Sequence, residues 1–216
     1  MKQVVVLISG RGSNLQALLD AERAQRWADA VPARIAAVIS NRAEAAGLAV
    51  AKAAGVATAI VPHAAMSSRE AFDAALIEAI DRYAPALVVL AGFLRVLTAA
   101  FVAHYAGRLV NIHPSLLPAF PGLATHRQAL AAGVRVHGCT VHFVSNAVDA
   151  GAIIGQAAVP VHTDDSEEVL AARVLAQEHR LLPACVQLLL QGRVRLEQGR
   201  TVARDAQAAA QLAVLA

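Results

Sequence analysis

Asn111 and His113 stand two residues apart at the end of an apolar run, Arg108-Leu-Val-Asn-Ile-His113, and Asp149-Ala-Gly151 follows later in the chain. Side chains alternate along an extended strand, so positions i and i+2 share a face. Pro114 has no N–H to give a ladder and ends the strand just past the histidine. A carboxamide and an imidazole therefore project together from a strand end, and Asp149 can complete the set. A carboxylate beside a histidine favours the charged ring. An imidazolium next to a carboxamide donor suits an oxygen that turns negative during a reaction. A lone histidine at a strand end is also a common structural residue, and spacing alone leaves both readings open.

The remaining nucleophile and metal signals are weak. There is no Gly-x-Ser-x-Gly elbow and no Cys–His pairing, and Cys139 on an apolar run reads as core. Direct attack by a substrate amine on a bound acyl donor therefore fits better than a covalent acyl-enzyme. His63, His104, His126, His137, His142, His162 and His179 show no metal-ligand spacing, and no metal is expected.

Two further segments could hold ligands. Ser9-Gly-Arg-Gly-Ser-Asn14 joins a strand to a helix. Its glycines allow a tight turn, and Gly12, Ser13 and Asn14 could offer helix-start donors to a phosphate. It lacks the Lys-Ser/Thr of a Walker loop and the third glycine of a dinucleotide loop. The second strand ends in Ser40-Asn-Arg42 rather than an acid for a ribose diol, which argues against NAD. The other reading is an ordinary strand–helix turn. Ala91-Gly-Phe-Leu-Arg-Val-Leu97 follows the fourth strand. Its apolar residues around Arg95 line either a groove for a flat heterocycle or simply the core.

The elements that must carry these residues read as alternating strands and helices. Strands are expected at Val4–Ile8, Ile35–Ile39, Thr58–Val61, Leu87–Leu90 and Leu109–Ile112. Helices are expected from Asn14 to Gln25, Glu44 to Ala54, near Ser67 to Tyr83, and Thr98 to Tyr105. Ser67-Ser-Arg-Glu70 fits a capping box for the third of these. Such alternation implies right-handed crossovers and a mainly parallel α/β sheet. Ligands of such sheets sit beyond the carboxyl ends of the strands, so the loops after strands one, four and five should converge on one crevice. Residues 114–125 form a proline-rich loop, followed by a helix near His126–Ala132. Gly138–Val144 and Ile154–Val161 read as further strands, and Asp165-Ser-Glu-Glu168 as a capping box for a helix to about Gln191. Val194–Glu197 reads as an edge strand, and the alanine- and glutamine-rich tail beyond Gly199 has no clear core face and is expected to be loosely ordered.

With 216 residues the chain can bury one good core and is marginal for two. The formal net charge is +3, without basic blocks, which suits small anionic substrates and argues against nucleic acid. No apolar stretch reaches the length of a membrane span, the N-terminus does not read as a signal peptide, and two cysteines make no disulfide framework. The cytoplasm is the expected compartment.

Taken in order, these segments closely resemble the phosphoribosylglycinamide formyltransferase family over about residues 3–197. The most specific stretches are Leu7-Ile-Ser-Gly-Arg-Gly-Ser-Asn-Leu-Gln16, Val89-Leu-Ala-Gly-Phe-Leu-Arg95 and Asn111-Ile-His-Pro-Ser-Leu-Leu-Pro118. Pro121-Gly-Leu, Thr125-His126 and Gly138-Cys-Thr-Val-His-Phe-Val144 leading to Asp149 add to them. The resemblance implies a Rossmann-like formyltransferase fold, with a mostly parallel sheet flanked by helices and antiparallel strands in the C-terminal half. It implies a single domain over 1–216: a phosphate-binding half (1–110), a catalytic and folate half (111–197) and a tail (198–216).

The implied reaction moves a formyl group from 10-formyltetrahydrofolate, the co-substrate, to the amine of glycinamide ribonucleotide. By resemblance, His113 is the general acid/base, Asp149 tunes it and helps relay its proton, and Asn111 assists. Gly12, Ser13, Asn14 and Glu178 contact the ribonucleotide. Arg69, Leu94, Arg95, Val96 and Leu97 border the folate site, which Asn111 shares. The expected partners are these two small molecules, with no nucleic acid and no membrane, for a monomer or weak homodimer. Ala124, Ala150 and Leu175 depart from the common pattern, which often has a polar residue, a glycine and a glutamine there.

Related readings are a methionyl-tRNA formyltransferase, a formyltetrahydrofolate deformylase and a non-catalytic nucleotide-binding module. The first usually carries a further C-terminal barrel and the second an extra N-terminal domain, whereas here the first strand begins at residue 3. An intact Asn111, His113 and Asp149 speaks against the third.

Overall fold

The computed structural model describes residues 1–215; Ala216, the end of the expected tail, lies outside the described residues. The chain forms two compact units, Met1–Asn111 and Ile112–Ala216.

The first unit carries β1 (Lys2–Ile8), α1 (Ser13–Ala24), α2 (Trp27–Ala30), β2 (Ala33–Ser40), α3 (Gly47–Ala53), β3 (Ala57–Ile60), α4 (Arg69–Asp81), β4 (Leu87–Leu90), α5 (Ala99–His104) and most of β5 (Leu109–His113). Its strands run in the order β5-β4-β1-β2-β3, every adjacent pair parallel. Val4 to Ile8 are completely buried, as a parallel strand covered on both faces requires. The leucine stripe of α1, Leu15, Leu18 and Leu19, is buried too.

The second unit holds the end of β5, then α6 (Thr125–Ala131), β6 (Val136–Phe143), β7 (Ile153–Pro160), α7 (Glu167–Leu190), β8 (Val194–Glu197), β9 (Arg200–Ala203), α8 (Ala206–Gln211) and β10 (Ala213–Leu215). β6 and β7 pair antiparallel, and β10 adds parallel to β7. No helix among the described residues is long and apolar enough to cross a membrane.

Several local expectations shift. The cap of α4 is Ser68, whose hydroxyl accepts from the Ala71 N–H at 3.0 Å, so the box that would start at Ser67 is displaced by one residue. Likewise Ser166 caps α7, which releases Asp165 to accept from the His162 N–H and pair with Arg173. α3 begins at Gly47 rather than Glu44, because the Gly47 N–H is taken by the Gly10 carbonyl at 3.0 Å. The segment beyond Gly199 is not structureless. Gln198 and Gly199 both have positive φ and close a two-residue hairpin between β8 and β9. Asp205 then caps α8 and pairs with Arg193.

Candidate active site

His113 ends β5 with its side chain almost fully buried, and Asn111 sits half-buried two residues before it. In the second unit both ring nitrogens of His113 face oxygens. Nε2 is 3.0 Å from the Phe120 carbonyl, and Nδ1 is 3.4 Å from Asp149 Oδ2. Each ring nitrogen therefore has an oxygen within reach. The carboxylate is itself held. Its Oδ2 accepts from the Gly122 N–H at 2.8 Å, and its Oδ1 lies 3.7 Å from His142 Nε2. One carboxylate thus ties the 120–122 segment, the strand-end histidine and β6 together.

The loops are shaped to allow this. Phe120, Ala124 and Asp149 all adopt positive φ. For Asp149 this is one of the side chains that tolerates the left-handed region. Ala124 precedes α6 and offers no side-chain cap; the first helical bond there is Gln128 N–H to the Ala124 carbonyl. Gly151 packs directly on the Phe143 carbonyl, where a Cβ has no room.

Burial depresses the other histidines around this centre. His126 Nδ1 lies 3.2 Å from His137 Nε2, and Phe120 meets the His137 ring edge-on. Desolvation, then repulsion from His126, lowers the His137 pKa from 6.5 to about 4. Desolvation also lowers His142, against an opposing pull from Asp149. Burial, then Glu178, pushes the Cys139 thiol up to about 12, which makes it a poor nucleophile. Glu178 is buried on α7.

A neutral buried histidine gives a pH dependence of defined sign. The unfolded chain takes up the His137 proton near 6.5 and the folded chain only near 4. The stability contributed by keeping that ring neutral is therefore present above pH 6.5 and lost as pH falls toward 4. The thermal midpoint should drop across that window, and His137→Gln should make the drop shallower; an equal slope in the variant would contradict this.

In the first unit the Ser9–Asn14 segment leads from β1 into α1. Gly12 is the N-cap of α1 at φ +80°, with no side-chain cap on the helix. The helix-start amides are thus not covered by a capping side chain, as an anion site needs. A Cβ on Gly12 would lie 2.6 Å from Gly47 Cα, so the turn leans on the start of α3 backbone to backbone. Asn14 is buried. The end of β1 meets the segment after β4: Ser9 N–H donates to the Gly92 carbonyl, and Ser9 Oγ accepts from Leu94 N–H. Leu94 and Val96 are exposed apolar residues, Arg95 and Leu97 are half-buried, and Arg69 is the exposed first residue of α4.

Several residues in these groups make contacts that their motifs do not announce. Phe120 and Gly122 act through main-chain atoms. His142 comes close to Asp149 where a bulge offsets the β6–β7 register after Val141. Ser9 and Asp73 act on backbone groups far away in sequence.

A formyl transferase family profile matches residues 2–186. Over 195 residues, 90% of each chain, the protein is 52% identical to the phosphoribosylglycinamide formyltransferase of Escherichia coli K12. It superimposes on the glycinamide ribonucleotide transformylase 1 structure from Symbiobacterium toebii with a TM-score of 0.90 and 50% identity, covering 95% of both chains. A formyltetrahydrofolate deformylase from Pseudomonas syringae matches with a TM-score of 0.85 and 29% identity, over 94% of this chain and 66% of that one. The Rossmann-like α/β fold, mostly parallel with antiparallel strands in its C-terminal half, is that of these relatives, and the chain belongs to the formyl transferase family.

Proposed function

We propose that the protein is a phosphoribosylglycinamide formyltransferase. It transfers the formyl group of 10-formyltetrahydrofolate to the amine of glycinamide ribonucleotide, giving formylglycinamide ribonucleotide and tetrahydrofolate in purine synthesis. The observation that carries the chemistry is His113 lodged between a carbonyl and the Asp149 carboxylate, two residues past Asn111 on one strand.

The amine nitrogen attacks the formyl carbon, a C–N bond forms, and the carbonyl π electrons move to oxygen. Asn111 and the charged His113 ring stabilise that oxygen. Collapse breaks the bond to N10, which takes a proton from His113, while the proton lost by the attacking nitrogen passes back to His113. Asp149 keeps the ring oriented and helps return the proton. For this, His113 Nε2 exchanges the Phe120 carbonyl for a substrate atom. Gly12, Ser13 and Asn14 grip the ribonucleotide phosphate, Glu178 contacts the same substrate, and Arg69 with residues 94–97 borders the folate. The protein works in the cytoplasm on these small molecules, as a monomer or weak homodimer, without nucleic acid, membrane or metal.

Formylation of glycinamide ribonucleotide, followed with 10-formyltetrahydrofolate as donor, tests the reading. Product formation that depends on the ribonucleotide supports it. Formate release without an acceptor, or no turnover at all, overturns it. Gly12→Ala should raise the KM for the ribonucleotide by at least about tenfold, because the cradle must move off Gly47. An unchanged KM would place the phosphate elsewhere.

A further inference from the structure

The segment after β4 is extended and alternates. Phe93 is buried and stacks on Phe72 of α4 at 6.5 Å, and the Arg95 guanidinium lies over the same ring at 5.8 Å. Leu94 and Val96 point the other way and are 62% and 54% exposed. The outcome is a small apolar ledge whose inner side is anchored and whose outer side has no cover within the described residues.

Two buried side chains hold the ledge by its backbone. Ser9, 4% exposed, accepts from the Leu94 N–H at 2.8 Å while its own hydroxyl donates to Asn41 Oδ1 at 2.6 Å. Asp73, 2% exposed on α4, accepts from the Thr98 N–H at 2.6 Å. The two bonds bracket the ledge. A hydroxyl locked by its own donation can rotate little, so its lone pair stays aimed at Leu94. The Asp73 bond is short for an N–H donor.

We propose that Ser9 and Asp73 are positioning residues that set the folate-facing shape of Leu94–Leu97; this rests on the reading of that segment as the border of the folate site. Neither touches a substrate. Each fixes an N–H at one end of the ledge, so the apolar side chains meet a flat ring system without reordering first. Preorganisation of this kind acts on affinity for the ligand it faces.

Steady-state kinetics on the intact enzyme test it with Ser9→Ala, Asp73→Ala, Asp73→Asn and Leu94→Ala. The two alanine variants at the anchors should each raise the folate KM about tenfold, with kcat and the ribonucleotide KM changed by less than about twofold. Asp73→Asn keeps an acceptor oxygen and should recover most of the loss, and it decides the matter with Asp73→Ala should Ser9→Ala not fold. If Leu94→Ala raises the folate KM while the anchor variants do not, the positioning role is wrong and the folate border stands. If Leu94→Ala also leaves it unchanged, the border assignment falls as well. Equal rises in both KM values, or no recovery in Asp73→Asn, would make the anchors merely structural and overturn the proposal.

Discussion

His113→Ala lowers kcat by on the order of a thousandfold, the range expected when a proton donor and an oxyanion partner are lost together. The ring meets the Phe120 carbonyl on one side and Asp149 on the other, and truncation removes both contacts. His142 is near the same carboxylate, but burial lowers its affinity for a proton. Because His113 is buried, truncation also lowers stability somewhat. His113→Gln, which refills much of the volume and keeps a donor but not a titrating ring, separates the two effects. Both variants should lose turnover, while the glutamine form melts closer to wild type. Turnover within about tenfold of wild type in either would remove His113 from the chemistry.

Gly151→Ala should be nearly as damaging, although residue 151 is given no part in the chemistry. An added methyl would fall inside the envelope of the Phe143 carbonyl oxygen and close to the Ser145 nitrogen. Backbone atoms cannot step aside as a flexible side chain can, so the 149–151 turn must lift off the end of β6. That draws Asp149 away from His113, His142 and the Gly122 N–H at once. We expect kcat to fall by on the order of a hundredfold and the melting temperature by several degrees, read from paired activity and thermal-unfolding measurements. Wild-type values for both would mean that the turn accommodates the methyl and that its position does not matter.

The strand–helix order was legible because apolar runs, glycines and prolines punctuate the chain. Pro114 marks the end of β5, and the Gly10–Gly12 pair marks the turn into α1. Asn111 and His113 declare themselves through strand alternation. What stayed hidden depends on contacts across the chain. The Ser9 hydroxyl meets an amide 85 positions away, and no local pattern announces that. The approach of His142 to Asp149 follows a register offset in which Ile154 is the unpaired residue, a feature of strand pairing rather than of β6 itself. The one-residue displacement of two helix caps has the same origin, since adjacent serines or an Asp-Ser pair offer two competing caps and packing chooses between them. The order beyond Gly199 escaped because an alanine-rich stretch carries little amphipathic signal, whereas the hairpin that begins it turns on just two residues.

Where Gly12 rests on Gly47, the proposed grip on an anion would be made by main chain, since no side chain caps the helix. Such a grip has almost nothing for side-chain variation to tune. A laboratory search for forms that accept a different phosphorylated amine would gain little from randomising the turn itself: most changes at its glycines would break it, and most changes at its other positions would leave it standing. The freedom to choose among acceptors must lie with residues that meet the rest of the molecule.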